Sequence, residues 1–241
     1  EIGTSAAFII LTDCRLDNFY GLFGFYEINY YFSLAISIFI FIITINSYNL
    51  IDGIDGLAGG YGIIAMIGFL LLSLLADNTV AIILCITIIG SLIGFLKFNL
   101  SSNENKIFMG DTGSLVIGFL ISVIVLIILS SRNEYNQVSN NIPIVVLSLL
   151  SFPYIDTLRV MFIRKKDGKS FFDADKNHIH HKLISSGKSH ITCSTIILIV
   201  YLSSIAFCLI FQHFDITTHF FLSLAYSILS LLTLVFIFDK N

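Results

Sequence analysis

Residues 49–60 read Asn49-Leu-Ile-Asp-Gly-Ile-Asp-Gly-Leu-Ala-Gly-Gly60, set between two apolar runs at 31–45 and 63–75. Two carboxylates, Asp52 and Asp55, stand three residues apart among four glycines. Acids at the edge of so apolar a region are costly unless they meet a cation, a polar ligand or water. The glycines allow a tight turn and bring backbone amides close to whatever is bound. A plain solvated loop between two helices would need neither feature.

The rest of the chain has the same character. Of 241 residues, 56% are hydrophobic and 12% charged, and the mean hydropathy is +0.91. Such a composition excludes a soluble domain and fits an all-α polytopic membrane bundle. Spans are expected at about 31–47, 58–75, 80–98, 114–131, 142–163, 194–211 and 220–238, seven in all. A partial first run, 2–11, falls short of the roughly 20 apolar residues that cross a bilayer. Transmembrane strands would alternate apolar with polar residues and be shorter, so helices are expected throughout. The four cysteines (Cys14, Cys85, Cys193, Cys208) have neither metal-ligand nor disulfide-framework spacing.

Lysine and arginine set the orientation. Eleven of the 13 fall on one side of the seven spans: Lys97, Lys106, Arg159, Arg164, Lys165, Lys166, Lys169, Lys176, Lys182, Lys188 and Lys240. Only Arg15 and Arg132 fall on the other. The positive-inside bias assigns the richer side to the cytoplasm. That side then carries Asn49–Leu57, residues 99–113 and a histidine-containing loop at 164–193. The outer connections (77–79, 133–141 and 212–219) look chemically plain.

Two further polar clusters fall on the cytoplasmic side. Residues 99–114 read Asn99-Leu-Ser-Ser-Asn-Glu-Asn-Lys-Ile-Phe-Met-Gly-Asp111-Thr-Gly-Ser114. Asp111 sits between glycines at the mouth of the next helix. It can serve as a helix cap or as a ligand for a hard cation; Mg²⁺ favours one or two carboxylates completed by phosphate oxygens and water. Phe108, close to Asn99 and Asn105, can hold a base. The third cluster ends in His178-Ile-His180-His181-Lys182, cationic and rich in hydrogen-bonding groups. With no cysteine nearby it suits an anion or a sugar better than structural zinc. Asp156 and Arg159, three apart near the end of a span, read most simply as an ion pair on one helix face.

The motifs Asn49-Leu-Ile-Asp-Gly-Ile-Asp-Gly-Leu, Phe108-Met-Gly-Asp-Thr-Gly-Ser-Leu and His178-Ile-His-His resemble the signatures of the polyprenyl-phosphate N-acetylhexosamine-1-phosphate transferases. Within that family the chain resembles the WecA/TagO-like branch, which starts O-antigen, enterobacterial common antigen or teichoic acid synthesis. The resemblance extends over nearly all of residues 1–241, read as one membrane-embedded transferase domain. It implies attack of undecaprenyl phosphate on a UDP-N-acetylhexosamine, GlcNAc being the expected sugar, with release of UMP. It further implies Mg²⁺ (Mn²⁺ as a substitute) and a multi-pass protein of the bacterial inner membrane, with its active site facing the cytoplasm. A homodimer is compatible with it, and nucleic acid is not an expected partner. By the same resemblance Asp111 is the metal ligand, and Asp52, Asp55 and Asp111 are the catalytic acids. Asn49, Asn99 and Phe108 are substrate contacts, the ring stacking on uracil, and His178, His180 and His181 meet the donor's sugar and phosphates.

Two departures mark the sequence. The family's paired-Asp motif would fall ahead of residue 1, so residues 1–241 expressed alone are expected to insert without transferring sugar phosphate. The tripeptide before the histidines is Ser170-Phe171-Phe172 where Ser-Pro-Phe is usual. Two other readings stay on the table. One is the phospho-MurNAc-pentapeptide transferase of peptidoglycan synthesis; the other is a transporter. Transporters place their sites near the bilayer midplane, often between inverted repeats; no repeat is visible here, and the polar clusters share one surface.

Overall fold

The computed structural model describes residues 1–101, 104–130, 141–168, 170 and 177–238. Arg132, Lys169, Lys176, Lys240, Phe171 and Phe172, used above, lie outside the described residues.

Among the described residues, seven helices are long and apolar enough to cross a membrane. They are α2 (Tyr30–Leu50), α3 (Leu57–Leu75), α4 (Thr79–Asn99), α5 (Gly110–Ser130), α6 (Ile142–Lys166), α8 (His190–Ile210) and α9 (Ile216–Phe238). The shorter α1 (Ile2–Thr12) precedes them, and α7 (Ile179–Ser185) lies between α6 and α8. The protein is thus a multi-pass helical membrane protein. Helices satisfy nearly all of their backbone groups internally, which hydrocarbon demands.

Helix starts are written locally in the sequence. Asn29, Asn78 and Ser189 cap α2, α4 and α8, accepting from the amides of Phe32 at 3.0 Å, Ala81 at 3.1 Å and Thr192 at 3.2 Å. Each cap satisfies one amide that the first turn leaves without a helical acceptor. Several helices run past the apolar stretch that announced them. α2 continues through Asn49, α5 begins at Gly110, and α8 begins at His190. Polar terminal turns are invisible to hydropathy but cost a helix little.

α2 packs mainly along α5 and α3 along α4; α6 packs against α2, α8 and α9. At Gly118 the α2 and α5 backbones come so close that an added Cβ would lie 2.8 Å from Ile45 Cα. α3, α5 and α6 are the most enclosed of the spans, and α4 and α9 the least. The outward face of α4 is mainly apolar, with Val80, Ile83, Ile86 and Ile93 exposed, as a lipid-facing surface requires, and the exposed Thr87 and Ser91 hydroxyls donate to carbonyls of their own helix.

α6 contains Pro153, which supplies no N–H to the carbonyl of Leu149 four residues earlier. Two tyrosine hydroxyls from other helices take that place: Tyr61 of α3 donates to Leu149 O at 3.0 Å and Tyr201 of α8 at 2.7 Å. Both rings are fully buried and lie 5.0 Å apart.

At one end of the bundle residues 17–28 form a small hairpin, with a single bridge between Asn18 and Glu27. His219, placed by its position in an outer connection, belongs instead to α9. It is buried, its ring against Cys208 Sγ at 3.3 Å and the Cys208 carbonyl at 2.9 Å.

Candidate active site

The other end of the bundle carries all three polar clusters, and specific bonds join them. Asn49, in the last turn of α2, donates Nδ2 to Asp111 Oδ1 at 3.2 Å and to Ser114 Oγ at 2.7 Å. The first loop is thereby fixed to the start of α5. Gly110 adopts φ +65°, a turn into the helix that a side chain would strain. Asp111 then falls in the first turn of α5, where the helix dipole favours a negative charge.

Asp52 lies beside this helix start. Burial pushes its carboxyl up to about 6; the Gly110 amide, which donates to it, works in the opposite direction, and the charge of Asp111 raises it further. Two acids close enough to feel each other, Asp52 part-buried and Asp111 exposed, favour a cation between them. Among the described residues no three His, Cys, Asp or Glu side chains converge on one point. Asp52 and Asp111 therefore suit an ion that completes its shell with phosphate oxygens and water, as Mg²⁺ does.

Asp55 faces another way. Its Oδ2 accepts from Lys106 Nζ at 2.7 Å and from His190 Nδ1 at 3.2 Å, and its carbonyl accepts from Ser194 Oγ at 2.6 Å. Lys106 in turn stands 5.3 Å from the centre of the Phe108 ring. That ring is 73% exposed and open to a planar ligand on its free surface. Asn99 is buried, and its carboxamide is used within the protein. It accepts from the Gly56 amide at 2.8 Å and donates to the Ile107 carbonyl at 3.0 Å. The direct ligand contact expected of Asn99 gives way in this geometry to a brace between two loops.

The histidines close the site from the third side. His180 is buried against Gly53, so tightly that a Cβ there would collide with the imidazole. Burial, and next the neighbouring His181, push His180 down to about 3. The rings of His180 and His181 are 4.3 Å apart, and those of His178 and His180 stack at 5.8 Å. The 164–193 segment is not all loop, since α7 begins directly after His178.

Asp156 departs from its sequence reading. The pair with Arg159 exists, at 2.7 Å, but it is no exposed helix-face pair. Asp156 is 2% exposed and also accepts from His178 Nδ1 at 3.0 Å and from the Ile179 amide at 3.3 Å. Sequence reasoning did not single out Lys106 or His190 as site residues, and nothing but their nearness to the motifs pointed to them.

The family model for glycosyl transferase family 4 matches residues 2–129. Over 162 residues the chain is 35% identical to the probable undecaprenyl-phosphate N-acetylglucosaminyl 1-phosphate transferase of Bacillus subtilis, covering 67% of this chain and 42% of that protein. The undecaprenyl-phosphate alpha-N-acetylglucosaminyl 1-phosphate transferase of Escherichia coli is 30% identical over 65% of this chain and 42% of its own length. The decaprenyl-phosphate N-acetylglucosaminephosphotransferase of Mycobacterium tuberculosis is 30% identical over 70% and 44%. These matches span less than half of each curated relative. With the family match covering more than half of its residues, the Asn49 and Asp111 motifs among them, the chain belongs to glycosyl transferase family 4.

Proposed function

We propose that the protein transfers N-acetylglucosamine 1-phosphate from UDP-GlcNAc to a polyprenyl phosphate, releasing UMP, at the cytoplasmic face of a bacterial membrane. The observation that carries this reading is the bridge from Asn49 to Asp111 and Ser114, which joins the Asp52 loop to the α5 start at one end of an apolar bundle. A site so placed reaches a soluble nucleotide from one side and a lipid phosphate from the other. The relatives are named as transferases of this class, acting on undecaprenyl or decaprenyl phosphate, and that supports the reading.

Phosphoryl transfer depends on positioning and charge neutralisation more than on covalent chemistry from the protein. An acceptor phosphate oxygen bonds to the donor's β-phosphorus, and the bond from that phosphorus to the bridging oxygen breaks, freeing UMP. A phosphate monoester is largely ionised at pH 7, so no strong base is needed. Asp111 and Asp52 would hold Mg²⁺, which neutralises the donor's pyrophosphate. Phe108 stacks on the uracil, and Asn49 and Asn99 keep the two loops in register. Lys106 supplies a cation and the histidine run supplies hydrogen-bonding groups on the remaining sides.

The test is a radiolabel assay on the full-length gene product carrying residues 1–241, with polyprenyl phosphate, Mg²⁺ and several UDP-sugars. Label from UDP-GlcNAc should enter the lipid fraction with release of UMP. Transfer from UDP-MurNAc-pentapeptide alone, or from no donor, would overturn the proposal.

A further inference from the structure

The Asp156–Arg159 pair is better explained by what lies across from it than by its own helix. An i,i+3 pair on an exposed helix face contributes little and needs no third partner. Here the acid is buried, and two of its partners, His178 and Ile179, come from outside α6. His178 Nδ1 and the amide of Ile179 both donate to it, while Arg159 donates to the Asp156 carboxylate and to the Asn177 carbonyl. Residues 177, 178 and 179 are thus fastened in succession to one turn of a membrane helix. With the carboxylate accepting, Nδ1 of His178 carries a proton, and Nε2 is left as the buried ring nitrogen without a hydrogen-bond partner. His178 stacks on His180, and His180 fills the space over Gly53 in the Asp52 loop. The line of contact therefore runs from α6 through two histidines to the loop that carries the first acids.

We propose that Asp156, with Arg159, is the positioning residue for the histidine run: from within the bundle it fixes the tautomer and placement of His178, and through His178 the way His180 and His181 meet the donor. Asp156 touches no substrate. Its effect passes through His178 and falls on the nucleotide-sugar side of the reaction. This inference rests on the transferase reading above and extends it to a residue outside the loops.

The experiment compares the parent gene product with Asp156→Asn, His178→Ala and the double variant in the transfer assay. Asp156→Asn keeps an acceptor oxygen and the shape of the side chain, so it is the variant suited to fold. Thr157→Ala, which removes a buried hydroxyl without a hydrogen-bond partner on the neighbouring position, controls for damage to α6. Asp156→Asn should lower kcat/KM for UDP-GlcNAc by up to about 10²-fold, the scale of a small misplacement in a reacting complex. The KM for polyprenyl phosphate should stay within about 3-fold, and the double variant should be no worse than the poorer single one, because residues acting as one unit are not additive. Multiplying losses in the double variant, equal losses for both substrates, or activity of Asp156→Asn within a few-fold of the parent would each overturn the inference. Hydrogen exchange of the peptide 178–186 gives a reading that needs no turnover. It should quicken in Asp156→Asn while the α5 peptides stay protected, and unchanged exchange would overturn the clamp. If the parent transfers no sugar yet exchange quickens as expected, the transferase reading has failed and the clamp has not.

Discussion

Asn49 and Asp111, 62 positions apart, meet at 3.2 Å, with the amide nitrogen of the first donating to Oδ1 of the second. This contact turns a carboxylate at the head of α5 toward the loop at the foot of α2, where Asp52 already lies. An amide orients a carboxylate without cancelling its charge, so Asp111 keeps what a cation needs.

Asp111→Asn keeps the size of the side chain and removes the charge. In the full-length gene product it should lower kcat at least about 10²-fold, the loss seen when one preorganised electrostatic group is removed. EDTA should abolish transfer in the parent, and added Mg²⁺ should restore it. Activity of the variant within a few-fold of the parent would remove Asp111 from the ion's shell, and tightly bound zinc lost together with activity would replace the ion itself.

Phe108 offers an exposed ring with Lys106 on one side. Stacking of a base on an aromatic is worth about 1–3 kcal/mol. Phe108→Ala should therefore weaken UDP-sugar binding roughly 5- to 150-fold on that scale, with the acceptor's KM unchanged. Titrating UDP against both proteins checks this, and parallel loss for both substrates would mean misfolding.

His180 makes the fold sensitive to acid. The unfolded chain takes up the imidazole proton near the usual value of about 6.5, whereas burial holds the folded side chain down to about 3. Between those values the unfolded state binds more protons. The stability that neutral His180 supports is thus complete above about pH 6.5 and drains as pH falls, at up to about 1.4 kcal/mol per unit. Melting of the detergent-solubilised protein should drop between pH 6.5 and 4. In His180→Gln that slope should be visibly shallower; an identical slope would show that other groups cause it.

Gly118 lies where α5 meets the backbone of α2 at Ile45. A methyl group there meets a Cα, which cannot rotate away. Gly118→Ala should destabilise the protein by about 1–3 kcal/mol, the usual cost of overpacking. It should also loosen the Asn49–Asp111 bond, since both helices carry one partner. Thermal unfolding and donor affinity measured together check the pairing of the two effects; an unchanged melting temperature would mean the helices part freely.

The seven spans were legible because each is a long apolar run, a signal that hydrocarbon leaves little room to misread. Their ends were less so. The apolar criterion stops at Ser47, while hydrogen bonding carries α2 on through Asn49, and at Ser114 it begins four residues inside α5. α7, with seven residues, is too short for any periodicity to stand out. Within the site, Asp52, Asp55, Asp111 and the histidines stood out because acids and histidines between spans are rare. What linked them did not. Lys106 read as one more charge on the basic side, although it closes on Asp55 from 51 positions away. Asp156 had a ready partner three residues on, and that partner hid the second one, His178, 22 positions on. A local explanation that is correct can still conceal a distant contact.

Pro153 looks like a defect in α6, yet the count of lone pairs at Leu149 says otherwise. A carbonyl oxygen has two, and the hydroxyls of Tyr61 and Tyr201 occupy both. Replacing the proline with alanine would return an N–H to the ladder and bring three donors to two sites. One donor would then be stranded among apolar side chains, far from water. A residue that ordinarily strengthens helices would here leave a buried polar group unmatched, because three helices share the joint that the proline opened.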